Sequence, residues 1–206
     1  MRCRPHEVYK GRGKTPHCQQ DVRYEERFEE RLARVESDPC VSTSVRRIPV
    51  KRLTPFLWFG TDAEDAAQFY VSIFPNSSIS NVVRYGPAGP GPVGSAMTVS
   101  FKLDGEAFVA LNGQHAIPPS AAISFVINCA SQDEVDHFWD KLAEGGKIQQ
   151  CGWLSDKYGF TWQVVPTILP ELLQSSDSAT AGRVMQAMLK MKKIDIAALQ
   201  RAAANE

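Results

Sequence analysis

One stretch of this chain occurs twice. Residues 56–73 read as a strand, a turn and an amphipathic helix, and residues 125–142 repeat that reading 69 positions later. In this register Phe56 meets Phe125, Ala66 meets Val135, Phe69 meets Phe138, Tyr70 meets Trp139 and Ile73 meets Leu142. A strand–helix unit used twice predicts a pseudo-symmetric domain with a pocket between the copies.

Around this repeat, composition sets the class. Apolar content of 43% and charged content of 22% are ordinary for a globular chain. No apolar run approaches the about 20 residues that span a bilayer, and no signal-peptide stretch follows Met1, so no membrane partner is expected. Charge is uneven. Residues 1–52 carry 13 Lys/Arg against 8 Asp/Glu, whereas residues 53–206 carry 10 against 15. An acidic folded part excludes a nucleic-acid footprint. The cysteines Cys3, Cys18, Cys40, Cys129 and Cys151 form neither a CxxC pair nor a zinc spacing. Such a scattered set fits free thiols in a reducing, cytoplasmic compartment.

Periodicity divides the chain into an extension, residues 1–47, and a domain, residues 48–206. In the extension, residues 24–35 read as a short helix with Phe28, Leu32 and Val35 on one face. The domain opens with a buried strand over 53–59. Thr61 or Asp62 is placed to cap a helix whose apolar face is Ala63, Ala66, Ala67, Tyr70, Ile73 and Phe74. Strands follow over 79–85, 95–103 and 107–111. The Gly/Pro run 86–92 forms a loop, and Asp104-Gly105 a type I′ hairpin turn. The second copy has a strand over 121–129 and a helix capped by Ser131 and stopped by Gly145-Gly146. Short strands over 147–154 and a last strand over 160–165 follow, with Pro166 and Pro170 ending the sheet. Two helices close the chain. Each copy therefore reads β-α-β-β-β, an α+β fold of tandem βαβββ modules with C-terminal helices.

Several strings carry a family resemblance. Thr54-Pro55-Phe56-Leu57-Trp58-Phe59, Phe69-Tyr70, Ile73-Phe74-Pro75-Asn76, Arg84-Tyr85-Gly86, Ala110-Leu111-Asn112-Gly113, Cys151-Gly152-Trp153-Leu154 and Trp162-Gln163-Val164-Val165-Pro166 resemble the PhnB-like branch of the glyoxalase, or vicinal-oxygen-chelate, superfamily. That branch often bears the label 3-demethylubiquinone-9 3-methyltransferase. The resemblance spans roughly residues 52–201. It implies a sheet curled around a cavity in each module. In active members it also implies a divalent metal held there by His, Glu or Gln from the first and last strands of each module. On this chain those positions fall at Pro55, near Ala110 and Asn112, at Ala122 or Ile123, and at Gln163. A proline and an alanine cannot ligate, and one amide is a weak ligand. The expectation is therefore a cavity without the usual metal and without a cofactor.

The remaining candidates are polar or aromatic groups near the cavity. Trp58 and Trp153 are strand aromatics that stack a flat ligand or fill the core. Asn112 and Gln163 are the polar groups at strand ends that would contact a ligand. His115 is a candidate base at the rim, or a loop histidine facing water. Cys151, beside Gln149, Gln150 and Trp153, is a candidate nucleophile, or an inert thiol. The expected function is small-molecule binding by a homodimer. The alternatives are a metal-dependent lyase, isomerase or dioxygenase, and the methyltransferase of the family label. The methyltransferase lacks a glycine-rich strand-to-helix turn, since Gly60-Thr61-Asp62 has one glycine.

Overall fold

The computed structural model of the chain describes residues 52–206, and residues 51–206 make one compact unit. The expected helix over 24–35 lies outside the described residues. The first module comprises β1 (Phe56–Phe59), α1 (Ala63–Ile73), β2 (Ser78–Arg84), β3 (Ala96–Leu103) and β4 (Glu106–Asn112). The second comprises β5 (Phe125–Cys129), α2 (Gln132–Ala143), β6 (Lys147–Ile148), β7 (Trp153–Ser155) and β8 (Thr161–Pro166). Then come α3 (Ile168–Leu173), α4 (Ser178–Leu189) and α5 (Ile196–Ala204).

The duplication holds element by element. β5, α2 and β6 begin 69 positions after β1, α1 and β2. The register breaks at the third strand, because the Gly/Pro loop after β2 has no counterpart between β6 and β7. Each module forms its own four-stranded sheet, ordered β1-β4-β3-β2 and β5-β8-β7-β6. The first and last strands of each module pair in parallel at one edge of that order, and the rest pair antiparallel.

Strand alternation gives each sheet two unlike faces. In the first sheet Leu57, Phe59, Val99, Phe101, Phe108 and Ala110 are buried, on the side where α1 packs. The register puts Phe56 beside Val109 and Trp58 beside Leu111, in rows with Ser100 and Thr98. This opposite face is open: Phe56 is 58% exposed, and the other members are partly exposed. The second sheet buries Ile127, Cys129, Leu154, Trp162 and Val164. Its open side shows Val126, Gln163 and Trp153 in one row. The expected strand over 53–59 is thus only half-buried and shorter, with Leu53 88% exposed.

The modules join through their covered faces. Phe74, just after α1, lies against Phe138 of α2 and Trp162 of β8, with ring centroids 5.0 and 5.5 Å away. Phe108 meets Phe125 at 5.5 Å, and Phe59 meets Phe160 at 5.2 Å. One apolar cluster therefore includes residues of both modules. A second cluster, Leu169, Val184, Ile194 and Leu199, holds the C-terminal helices together and takes in Val165 of β8.

Local signals behave as the residues predict at most turns. Asp104 and Gly105 have φ of 46° and 80°, as a type I′ turn requires. Ser131 Oγ accepts from the Glu134 amide at 3.2 Å, and Glu134 returns a bond from the Ala130 amide at 2.6 Å. Two readings change. Thr61 and Asp62 do not cap α1: the Thr61 hydroxyl donates to Asp62 Oδ1, and no Asp62 side-chain cap bond forms. The tail of the sheet also holds an extra short helix, α3. Pro170 fits as its third residue, where an amide hydrogen would find no intrahelical partner.

Candidate functional site

A cavity of about 580 Å³ lies at the seam between the modules. The first module supplies Trp58, Phe59, Gly60 and Asp62, from the end of β1 and its turn. Residues 116–119 of the inter-module linker form another wall. The second module supplies residues 145–147 and the β7–β8 turn, residues 155–159.

Trp58 is held rigidly in this cavity. Its Nε1–H donates to the carbonyl of His115 at 2.9 Å, and the two rings stand 5.2 Å apart. Its indole lies against Gly113, where a Cβ would come within 2.0 Å of Trp58 Cζ2. Only glycine permits that approach. A fixed indole on a cavity wall is a stacking platform whose rotamer entropy is already lost.

Asn112 has a different task. It is 3% exposed and projects to the covered face. Its Oδ1 accepts from the Ala63 amide at 2.8 Å, and its Nδ2 donates to the Ala96 carbonyl at 3.0 Å. The buried Tyr85 hydroxyl donates to its backbone carbonyl. Asn112 thus caps α1 from a strand 49 residues away and ties β4 to β3. Both polar ends of its side chain are spent on the fold.

Trp153 and Gln163 are register partners on the open face of the second sheet. Gln163 Nε2 donates to Ser124 Oγ at 2.8 Å. Cys151 sits in the turn between β6 and β7 with φ 59°, half-buried, and is not part of the seam cavity. Its amide donates to Met191 at 2.8 Å and that of Gly152 to Lys192 at 2.7 Å, docking the C-terminal segment. The structure therefore brings Trp58 to His115, and Trp153 to Gln163. It sets Asn112 and Cys151 apart from both pairs.

The group that the residue patterns did not single out is Asp156. Its carboxylate is 3% exposed, at the cavity wall. Oδ2 accepts from the Tyr70 hydroxyl at 2.7 Å and from Trp162 Nε1 at 2.8 Å. Oδ1 accepts from the amides of Tyr158 at 2.9 Å and Phe160 at 3.1 Å. Burial pushes this carboxyl above its ordinary range, and the four donors pull the other way. Burial, then the neighbouring Asp156 charge, raises the Tyr70 hydroxyl well above the usual phenol value. Asp156 joins α1 of one module to β8 of the other and fixes the turn that walls the cavity. The sequence signal was an aspartate opening the Asp-Lys-Tyr-Gly turn. Side-chain bonds to amides two and four residues on are common there.

The donor set does not suit a divalent metal. Among the described residues no group of three or more His, Cys, Asp or Glu side chains could hold one. Asn112 is committed to the backbone, and Gln163, whose Nε2 donates to Ser124, contributes a single amide oxygen, a weak ligand. Burial and the Glu134 charge push the Cys129 thiol up to about 11, away from the thiolate a metal needs.

Comparison with known proteins agrees with this architecture. Residues 51–165 match the family model described as 3-demethylubiquinone-9 3-methyltransferase. A PhnB protein from Bacillus cereus is 33% identical with a TM-score of 0.54, over 57% of this chain and 100% of its own. A protein from Pseudomonas aeruginosa is 20% identical with a TM-score of 0.47, over 55% of this chain and 96% of its own. A glyoxalase/bleomycin resistance protein/dioxygenase from Alicyclobacillus acidocaldarius is 12% identical with a TM-score of 0.33, over 54% and 88%. The last two likenesses carry no argument by themselves. No functionally curated protein matches the chain. With over half of its length matched and two βαβββ modules in place, the chain belongs to the 3-demethylubiquinone-9 3-methyltransferase family, in the PhnB-like branch of the glyoxalase or vicinal-oxygen-chelate superfamily.

Proposed function

We propose that this protein binds a small flat molecule in the seam cavity, without a divalent metal. The observation that carries this reading is Trp58, an indole pinned by Gly113 and the His115 carbonyl on the wall of a cavity of about 580 Å³. That volume lies within the range of about 300–1,000 Å³ typical of small-molecule sites. His115 belongs to the rim of this site through its contact with Trp58. Cys151 has no part in it, and Trp153 and Gln163 offer a second polar-aromatic surface on the open face.

Mass spectrometry of the native protein, followed by a thermal-shift screen of what it retains, tests the reading. A ligand that raises the melting temperature equally with and without EDTA, and loses its effect in Trp58→Ala, supports it. Stabilisation that EDTA abolishes would overturn it in favour of a metal-dependent enzyme.

The reading includes a cytoplasmic homodimer. Among the described residues no helix is long and apolar enough to cross a membrane. The open sheet faces expose Phe56, Val83 and Val126, which a second copy could cover. Light scattering at twice the 22.8 kDa chain mass is the expected result. The methyltransferase of the family name draws no support from the fold: the sheets are not doubly wound, and Gly60 alone serves the turn before α1. Calorimetry with S-adenosylmethionine should register no heat of binding.

A further inference from the structure

The charged groups around the seam cavity differ in how far their hydrogen-bonding capacity is committed, and that difference names a ligand class. This inference rests on the binding reading above. Four charged side chains line the cavity: Asp62, Lys147, Asp156 and Lys157. The Asp156 carboxylate is used up by its four donors. Asp62 is exposed and already accepts from the Thr61 hydroxyl at 2.9 Å. Neither lysine has an ion-pair partner among the described residues, whose ion pairs join Arg84 to Glu64 and Lys193 to Asp136 and Asp140. The Lys157 ammonium stands 4.0 Å from the centroid of the Phe69 ring. A cation–π contact of this kind steadies the charge without using up its N–H donors.

We infer that the seam cavity takes a flat organic carboxylate, its ring on Trp58 and its acid group toward Lys147 and Lys157. The formal charges balance, two ammonium groups against the Asp62 and Asp156 carboxylates, but the Asp156 acceptor sites are filled by neutral donors while the lysine N–H donors remain unspent. A ligand anion gains charge-assisted hydrogen bonds that a neutral isostere cannot make. A cationic isostere meets like charge from both lysines and finds the Asp156 acceptor sites already filled. Because both lysines are exposed to solvent, the discrimination is modest, about tenfold in Kd at low salt, and shrinks as salt rises.

The test is calorimetric titration of the full chain with naphthoate, naphthamide and naphthylmethylamine, one ring system carrying negative, zero and positive charge. The expected order is naphthoate tightest by about tenfold over the amide, with the amine weakest. The Lys147→Gln/Lys157→Gln double variant should bring the acid-to-amide ratio toward one. Lys192→Gln, an exposed lysine outside the cavity, should leave it in place. Equal binding of acid and amide, or a preference that survives the double variant, overturns the anion assignment and leaves the binding reading standing. No binding by any of the three, with no change in intrinsic tryptophan fluorescence, overturns both.

Discussion

At the residue scale, the two most constrained side chains are Asn112 and Asp156, and both are polar groups that burial makes costly to disturb. Asn112→Ala removes the acceptor for the Ala63 amide and the donor to the Ala96 carbonyl. A lost cap and an unsatisfied buried group together cost about 2–4 kcal/mol, read as a lower urea midpoint at unchanged m-value. A loss under about 0.5 kcal/mol would show that the cap carries no weight. Asp156→Asn offers one acceptor oxygen where Tyr158 N–H, Phe160 N–H and Trp162 Nε1–H all need one, and should destabilise by a similar amount. Its pH dependence has a definite sign. The folded carboxyl lies above the ordinary 3.8, so its contribution is greatest below 3.8 and is lost as pH rises through the raised value. The stability gap between parent and Asp156→Asn should therefore narrow from pH 3.8 upward. A gap that widens would reverse the assignment.

At the element scale, the two copies of the helix are capped by different means. α2 carries its cap in the chain: Ser131 bonds the Glu134 amide, so Ser131→Ala should cost about 1 kcal/mol. α1 has Thr61 and Asp62 at the matching place, but neither reaches its amides. Thr61→Ala and Asp62→Ala should each change stability by less than about 0.5 kcal/mol, as for surface positions away from such features. Paired urea titrations of these variants check the contrast, and equal losses at both helices would contradict it. The Ala63, Ala66 and Ala67 face of α1 explains why β4 can reach across: small side chains let the helix sit close to the sheet. The C-terminal helices dock by another cross-chain device. Gln132 of α2 donates to Ile194 at 3.1 Å and accepts from the Ile196 amide at 2.9 Å, as a backbone strand would.

At the scale of the molecule, the modules share one core, and two side-chain hydrogen bonds also link them: Tyr70 to Asp156, and His137 Nε2 with the Ile73 carbonyl at 2.9 Å. Tyr70→Phe keeps the ring contacts with Phe101 and Trp162 and deletes the bond to Asp156. The cost should be about 1–2 kcal/mol, with unfolding still a single transition because the aromatic seam at Phe74, Phe138, Phe108 and Phe125 persists. Near-ultraviolet and far-ultraviolet circular dichroism should therefore melt together. Separate melts would mean the modules are held chiefly by this one bond. Packing through the covered faces also explains the open ones: the helices and the seam occupy one side of each sheet, and much of the other remains half-exposed.

Much of this arrangement was readable from the chain alone, and for a local reason. Alternation of two and a repeat of 3.6 residues mark strands and helices, so the 69-residue offset, the Asp104-Gly105 turn and the Ser131 cap follow from neighbours in sequence. The candidate site was less legible because its parts meet only after folding. Nothing near Asn112 says that it will cap a helix 49 residues earlier, and nothing near Asp156 says that Tyr70, 86 residues away, will bond to it. Period two separated Trp162 from Gln163 without saying which face would stay open. The chain by itself determined the order and duplication of the elements. Tertiary structure decided which polar groups are consumed inside and which, like Trp58 and Lys147, line a cavity, because that division depends on distances between residues remote in sequence.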